Sequence, residues 1–367
     1  MNERGENMTA TVALIQGDNR YDNLRAALDL IAADIPFDGR RQVLIKPNFV
    51  SQRQLAATHN DALRAVLDFV RARYAGALVV AEGAALVNTW DSFAHFGYEA
   101  LVAPYDVTLV DLNADDTVPV QVYDRHLQPK TLRLARTVVE SDLRISVGPP
   151  KTHDTAIVTL SIKNMVLGSL VNPTVAARDR PQHESLGMLD RLIPQWLRFS
   201  APADWVMARM AGNNPSDKFA MHQGYPVFNL NMAMLAPWVW PHVAVIDGFE
   251  AMEGPGPTKG DPVDWRVALA GTDALAVDTF TARLMGFDPH AIGYLHYCQR
   301  LGLGVADSAA ITAVGNVEPD VVRRQFKPHP GYRRQLKWHL AAADRLLRQA
   351  PPVQPSADCC GSEDAVP

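Results

Sequence analysis

Cysteine is scarce in this chain: three in 367 residues, Cys298 alone and Cys359 beside Cys360 in a polar tail. There is no C-x-x-C pair and no four-cysteine run, so no iron–sulfur cluster on the chain's own cysteines, no cysteine-based zinc site and no redox pair are expected. Long hydrophobic runs are missing too. The most apolar stretch, 232–246, is broken by Pro237, Pro241 and His242 and falls short of the roughly 20 residues that cross a bilayer, so no transmembrane segment is predicted. The start, "MNERGENMTATVALIQGDN", carries an acidic residue early and only a short apolar run; no secretory signal is read there, and a cytoplasmic protein is expected. Excess basic charge is absent as well. With 35 basic and 40 acidic residues interleaved and a net charge of −5, nucleic acid is not an expected partner, and any basic site must be local.

What is present is a 47% apolar fraction, enough for a sizeable core. Short apolar runs ("TVALIQG", "RQVLIKPN", "ALVVAEG", "VTLVDL", "LRISVGPPKTH") alternate with helical patterns. That spacing predicts βαβ units, hence an α/β fold with a mostly parallel sheet flanked by helices. Residues 117–138 alternate like an antiparallel pair at a sheet edge. A helix-rich insertion is expected at about 173–240, with helices near 184–199, 202–212 and 226–236. It is read as a lid, a dimer surface or a membrane-facing segment. The α/β domain is taken to run over 1–330, followed by a basic amphipathic helix at 331–350 and a disordered tail from 351.

In an open parallel sheet, ligands bind beyond the carboxyl ends of the strands. The residues ending the apolar runs are therefore the informative ones. They are Lys46 and Asn48, Glu82, Asp111, Lys151 and His153, and Asp247. Further on, Val158, Leu160 and Ile162 alternate with Thr159, Ser161 and Lys163, which predicts a strand with Lys163 on its polar side. Burying an unpaired ammonium costs several kcal/mol, so Lys163 needs a carboxylate or an anionic ligand. Asn164 can donate and accept at once. His153 is read as a general acid/base, a metal ligand or a hydrogen-bonded structural histidine.

The stretch "DGFEAMEGPGPTKG" (247–260) reads as a loop whose glycines, Gly254 and Gly256 among them, let backbone approach a ligand. It is neither G-x-G-x-x-G nor a Walker loop. Asp247, Glu250 and Glu253 are spaced so that their oxygens could meet at a divalent ion such as Mg²⁺, or form an acidic turn without metal. Asp273 fits a helix N-cap, and a buried Asp278 would need a partner such as a lysine. Thr58, His59 and Asn60 offer a cap and a helix N-terminus open to an anion. No spacing unites His183, His222 and His242, so no zinc site is built from them.

The motifs "VLIKPNFV", "VVAEG", "ISVGPPKTH", "VTLSIKNMVLG", "VIDGFEAMEGPGPTKG" and "GTDALAVDTFTARLMG", in this order from about 41 to 316, resemble the bacterial and archaeal family catalogued as domain of unknown function 362. Many members of that family carry an added ferredoxin-like cysteine module, which this chain lacks. The resemblance leaves an electron-transfer partner protein open. In layout the chain is also similar to the N-terminal part of nickel-pincer lactate racemases.

These readings lead to an enzyme acting on a small anionic molecule, a carboxylate or phosphate, with redox or racemase/isomerase chemistry by resemblance. Lys46, Lys151 and Lys163 would hold the anion. Asn48, Thr159 and Asn164 would line the site with Gly254 and Gly256, and His153 would move protons beside Lys151 and Lys163. Asp247, Glu250 and Glu253 would hold a divalent metal. Alternatives are a non-catalytic metal- or metabolite-binding module serving a redox partner, and a membrane-peripheral scaffold. A homo-oligomer is compatible with all three.

Overall fold

The computed structural model describes residues 9–176 and 200–352. They build a ten-stranded sheet from β1 (Ala10–Gln16), β2 (Gln42–Lys46), β3 (Ala77–Glu82), β4 (Val107–Asp111), β7 (Leu143–Gly148), β8 (Lys151–His153), β9 (Ile157–Thr159), β10 (Val243–Glu253), β11 (Asp261–Gly271) and β12 (Ile311–Gly315). The order across the sheet is β12-β1-β11-β10-β7-β2-β3-β4, with β8 pairing β10 and β9 at one end. The pairs from β10 through β7, β2 and β3 to β4 are parallel, as is β1 with β12; β11 runs antiparallel to both neighbours. The fold is thus α/β with a mostly parallel sheet, as expected. The pair β5 (Thr117–Tyr123) and β6 (Pro129–Ala135) is antiparallel but forms its own two-stranded sheet instead of an edge of the large one.

Both faces of the sheet are covered, and the period-2 alternation of strands divides the core in two. On β2, Val43 and Ile45 join the core beneath α1 (Arg20–Leu30) and α2 (Asn60–Arg71), while Leu44 joins the opposite core. Helix α2 shows why it lies there: Leu63, Val66, Leu67 and Val70 recur at helical spacing on one buried stripe. Its N-terminus is closed by His59, whose Nδ1 accepts from the Asp61 N–H at 3.1 Å. The opposite face is packed by α6 (Ser161–Ser169), α9 (Tyr225–Leu235) and α10 (Ala274–Leu284).

Three sequence expectations are revised. Residues 161–169 are a helix, not the end of a strand; only β8 and β9 of that stretch are extended. The first half of the 247–260 stretch is strand, since β10 reaches Glu253, and the second half, 254–260, turns back into β11. The C-terminal region is helical in two short pieces, Tyr332–Gln335 and Ala343–Leu347, not one amphipathic helix. Within the insertion, Ala201–Ala211 and Tyr225–Leu235 are helices as expected. The expected helix at 184–199 and the tail beyond 352 lie outside the described residues.

Candidate functional site

Helix α6 is the piece around which the site is organised. Its N-cap, Leu160, supplies no side-chain cap. The orphan N–H groups of Ser161 and Ile162 instead donate to the two carboxylate oxygens of Asp278, each at 2.9 Å. At the other end Lys218 donates to the carbonyls of Leu167 (3.2 Å), Gly168 (2.9 Å) and Leu170. A carboxylate at the start and an ammonium at the finish both match the helix dipole. Burial pushes Asp278 up to about 7, opposed by its two N–H donors. Burial likewise pushes Lys218 down to about 7, opposed by Glu82. Asp278 therefore has a partner, though it is backbone and not a lysine. Asp273 fills its expected role, capping α10 through the Ala276 N–H at 2.9 Å.

Beneath α6 runs a closed polar seam. Lys46 continues the face of Leu44 at the end of β2 and is 0% exposed. It donates to Glu82 Oε2 at 2.6 Å and to Asn164 Oδ1 at 3.2 Å. Asn48 Nδ2 donates to the same Asn164 oxygen at 2.7 Å, and Asn164 Nδ2 donates to Ser146 Oγ at 3.0 Å. Lys151, also 0% exposed, donates to Asn48 Oδ1 and to the Ala56 carbonyl at 2.6 Å. Burial lowers Lys46 and raises Glu82, and each is opposed by the other's charge. Burial holds Lys151 well below the ordinary lysine range, and Lys163 adds to the effect. Gly168 leaves room for the Lys46 ammonium, which a Cβ there would push from its place beside Glu82.

In front of this seam opens a cavity of about 190 Å³. Asn48, Glu82, His153, Asp154, Lys163, Asn164, Lys218 and His222 form its polar wall, and Phe49, Leu86, Leu167 and Phe219 its apolar one. Lys163 is 6% exposed, and among the described residues its Nζ makes no hydrogen bond and no ion pair. Burial pushes it down to about 8, with Asp154 opposing.

The two histidines are held in opposite tautomers. His153 Nδ1 accepts from the N–H groups of Thr155 (3.0 Å) and Ala156 (3.2 Å), which leaves the ring proton on Nε2. Asp154 Oδ1 lies 3.1 Å from the same Nδ1. That contact is not an ion pair, because the Nδ1 lone pair is already taken and burial, reinforced by Lys163, keeps the ring neutral. His222 Nδ1 lies 3.0 Å from the Lys218 carbonyl. A carbonyl only accepts, so the proton is on Nδ1 and the Nε2 lone pair is left open. Burial lowers His222 as well, with Asp154 opposing.

Of the residues singled out from sequence, Asn48, His153, Lys163 and Asn164 meet at this cavity. Lys46 and Lys151 stand behind the wall, each engaged with protein groups. Thr159 lines a separate small void, and its buried Oγ1 has no hydrogen-bond partner among the described residues. Gly254 and Gly256 serve the turn: Gly254 has φ +75°, and a Cβ on Gly256 would strike the Thr152 carbonyl. Their neighbours Pro257 and Thr258 reach the cavity instead. The acidic trio is dispersed. Asp247 follows Val243 and Val245 to the opposite face, where Arg20 Nε meets it at 3.1 Å. Glu250 is exposed, and Glu253 accepts from the Lys327 N–H at 2.9 Å. Among the described residues no three His, Cys, Asp or Glu side chains gather where they could hold a metal ion. Lys218 and His222 were missed in sequence; their only local signal is an i, i+4 pair within the apolar "KFAMH".

Fold and site together define an α/β protein with a lysine- and histidine-lined cavity at the carboxyl ends of its parallel strands. Residues 43–283 match the family described as domain of unknown function (DUF362), and the chain belongs to that family. A thylakoid-associated protein of Synechocystis sp. is 22% identical over 265 residues, which cover 71% of this chain and 68% of that one. Among solved structures, the lactate racemase apoprotein from Thermoanaerobacterium thermosaccharolyticum aligns with a TM-score of 0.41 and 14% identity. That alignment covers 79% of this chain and 56% of the racemase, so the chain spans little more than half of the racemase's length. No helix among the described residues is long and apolar enough to cross a membrane.

Proposed function

We propose that the protein is an enzyme that binds a small anionic molecule, a carboxylate or a phosphate, in the cavity before α6 and moves a proton within it. One observation carries this reading: the unpaired Lys163 ammonium shares a cavity with one histidine that can donate a hydrogen bond and one that can take a proton. Lys163 and Lys218 line the cavity with the carboxylates Glu82 and Asp154, and Glu82 is already engaged by Lys46 behind the wall. His222 Nε2 is the base, and His153 Nε2–H donates a hydrogen bond to the ligand oxygen on which charge develops, each positioned by backbone. This assigns the isomerase or racemase class in preference to redox chemistry and needs no step through a metal. The site of action is taken as cytoplasmic.

Calorimetry against a panel of small carboxylates and phosphates tests the anion. Proton NMR of the bound compound in D₂O tests the chemistry. Deuterium entering the ligand with wild type, but not with His222→Gln, is the expected result. Binding without exchange would point to a metabolite-binding module serving a redox partner. If no anion binds the wild type, the reading fails.

A second reading concerns α7 (Ala201–Ala211), where Trp205 is 62% and Met210 65% exposed beside Met207. The Synechocystis relative is named as thylakoid-associated. Peripheral contact with a membrane through this helix is the corresponding proposal. Sedimentation with liposomes should deplete wild type from the supernatant and spare Trp205→Ser/Met210→Ser.

A further inference from the structure

Anion binding alone does not account for how Lys163 is kept. Lys46 has Glu82, Lys151 has Asn48 and the Ala56 carbonyl, and Lys218 has three carbonyls. Lys163 alone of these four is buried, unpaired among the described residues and aimed into a cavity with apolar walls. It stands on a helix whose two ends are tied to other parts of the chain. An amine so placed has its lone pair available once it loses a proton, with a proton donor and a proton acceptor lining the same space.

We propose that Lys163 is a catalytic nucleophile that forms a Schiff base with the carbonyl carbon of a small 2-oxo acid or aldehyde acid held in this cavity. The inference rests on the anion-site reading and narrows its substrate class. The Nζ lone pair forms the C–N bond as the carbonyl π pair moves to oxygen, which accepts a hydrogen bond from His153 Nε2–H. His222 Nε2 takes the proton released from nitrogen and returns it to that oxygen, giving the carbinolamine. A second proton, from solvent, lets the hydroxyl leave as one water and gives a protonated imine. An imine draws electrons from the adjacent carbon, which lets His222 act as base on a neighbouring C–H. Burial supports the step. A lysine at its ordinary value is under ~1% free amine at pH 8, whereas one lowered to about 8 is roughly half free.

The test incubates the full-length protein with glyoxylate and cyanoborohydride at pH 8 and maps adducts by peptide mass spectrometry. Carboxymethylation of Lys163 should run at least ~10-fold faster than at any exposed lysine, following the free-amine fraction, and faster than at Lys218, whose nitrogen is turned to three backbone carbonyls. His222→Gln should slow it. Lys163→Arg should remove it while leaving the circular dichroism spectrum unchanged. Adducts spread over exposed lysines with Lys163 untouched would overturn the proposal. Acetate, which has no carbonyl to attack, separates the two readings. If acetate stabilises the wild type and Lys163 stays unmodified, the covalent step is wrong and the anion site stands. Selective Lys163 labelling without any acetate effect supports the covalent step and narrows the anion to one that also carries a carbonyl.

Discussion

Lys46 and Lys163 are both buried at the carboxyl end of the sheet, on either side of one asparagine, yet their surroundings are opposite in kind. Lys46 lies under α6 with every donor directed at protein: Glu82, Asn164 and the Pro47 carbonyl at 3.2 Å. Lys163 lies on α6 itself and lines the cavity, with no hydrogen bond to protein among the described residues. The seam behind the helix is a closed set of mutual partners; the wall before it is left open. Charge burial is tolerated in both places for different reasons, satisfaction within the fold in one and a place reserved for a ligand in the other.

The most severe way to break this contrast is Lys46→Met, which strands Glu82 without its cation. A loss of about 3–5 kcal/mol is expected in urea unfolding, with Lys46→Met/Glu82→Leu recovering most of it. If the single variant unfolds like wild type, the seam is not structural. Next comes Asp278→Ala, which frees two N–H groups at the start of α6. It should lose about 1–3 kcal/mol and weaken anion binding with it, by urea melts and calorimetry. Lys163→Met should be at least as stable as wild type at pH 7, because it removes a buried ammonium and no protein partner loses a bond. Its anion binding should vanish, and a large stability loss would make Lys163 a second structural lysine.

The smallest effect is in pH dependence. Lys163 is lowered to about 8 in the fold from an ordinary 10.5, so between those values the unfolded chain binds more protons. Wild-type stability should therefore rise with pH across that window relative to Lys163→Met. Paired urea midpoints at pH 8 and pH 9.5 check the sign.

The strands and the charged residues at their ends were legible because a parallel strand buried on both faces is a short apolar run that ends where the ligand side begins. Lys46, Asn48, Glu82 and His153 were found that way. Helix α6 was not legible as a helix. Eight of its nine residues are buried, so no polar stripe marks a 3.6-residue period, and the alternation through 158–163 imitates a strand. Its caps arrive from Asp278 and Lys218, far along the chain, where no local pattern announces them. His222 was passed over for the same reason, since its tautomer depends on where the Lys218 carbonyl lies in space. The reading of Asp247 with Glu250 and Glu253 failed on strand geometry. Alternation carried Asp247 to the far face, where Arg20 waits.

The carboxylate that starts α6 comes from a residue 117 positions later. A chain that has emerged only to the end of β10 therefore contains most of the sheet but lacks the carboxylate that closes the start of α6. That helix start stays uncapped until α10 has been made, about three-quarters of the way along the chain. The shared family segment, closing at residue 283 just beyond Asp278, ends about where that late piece has been delivered.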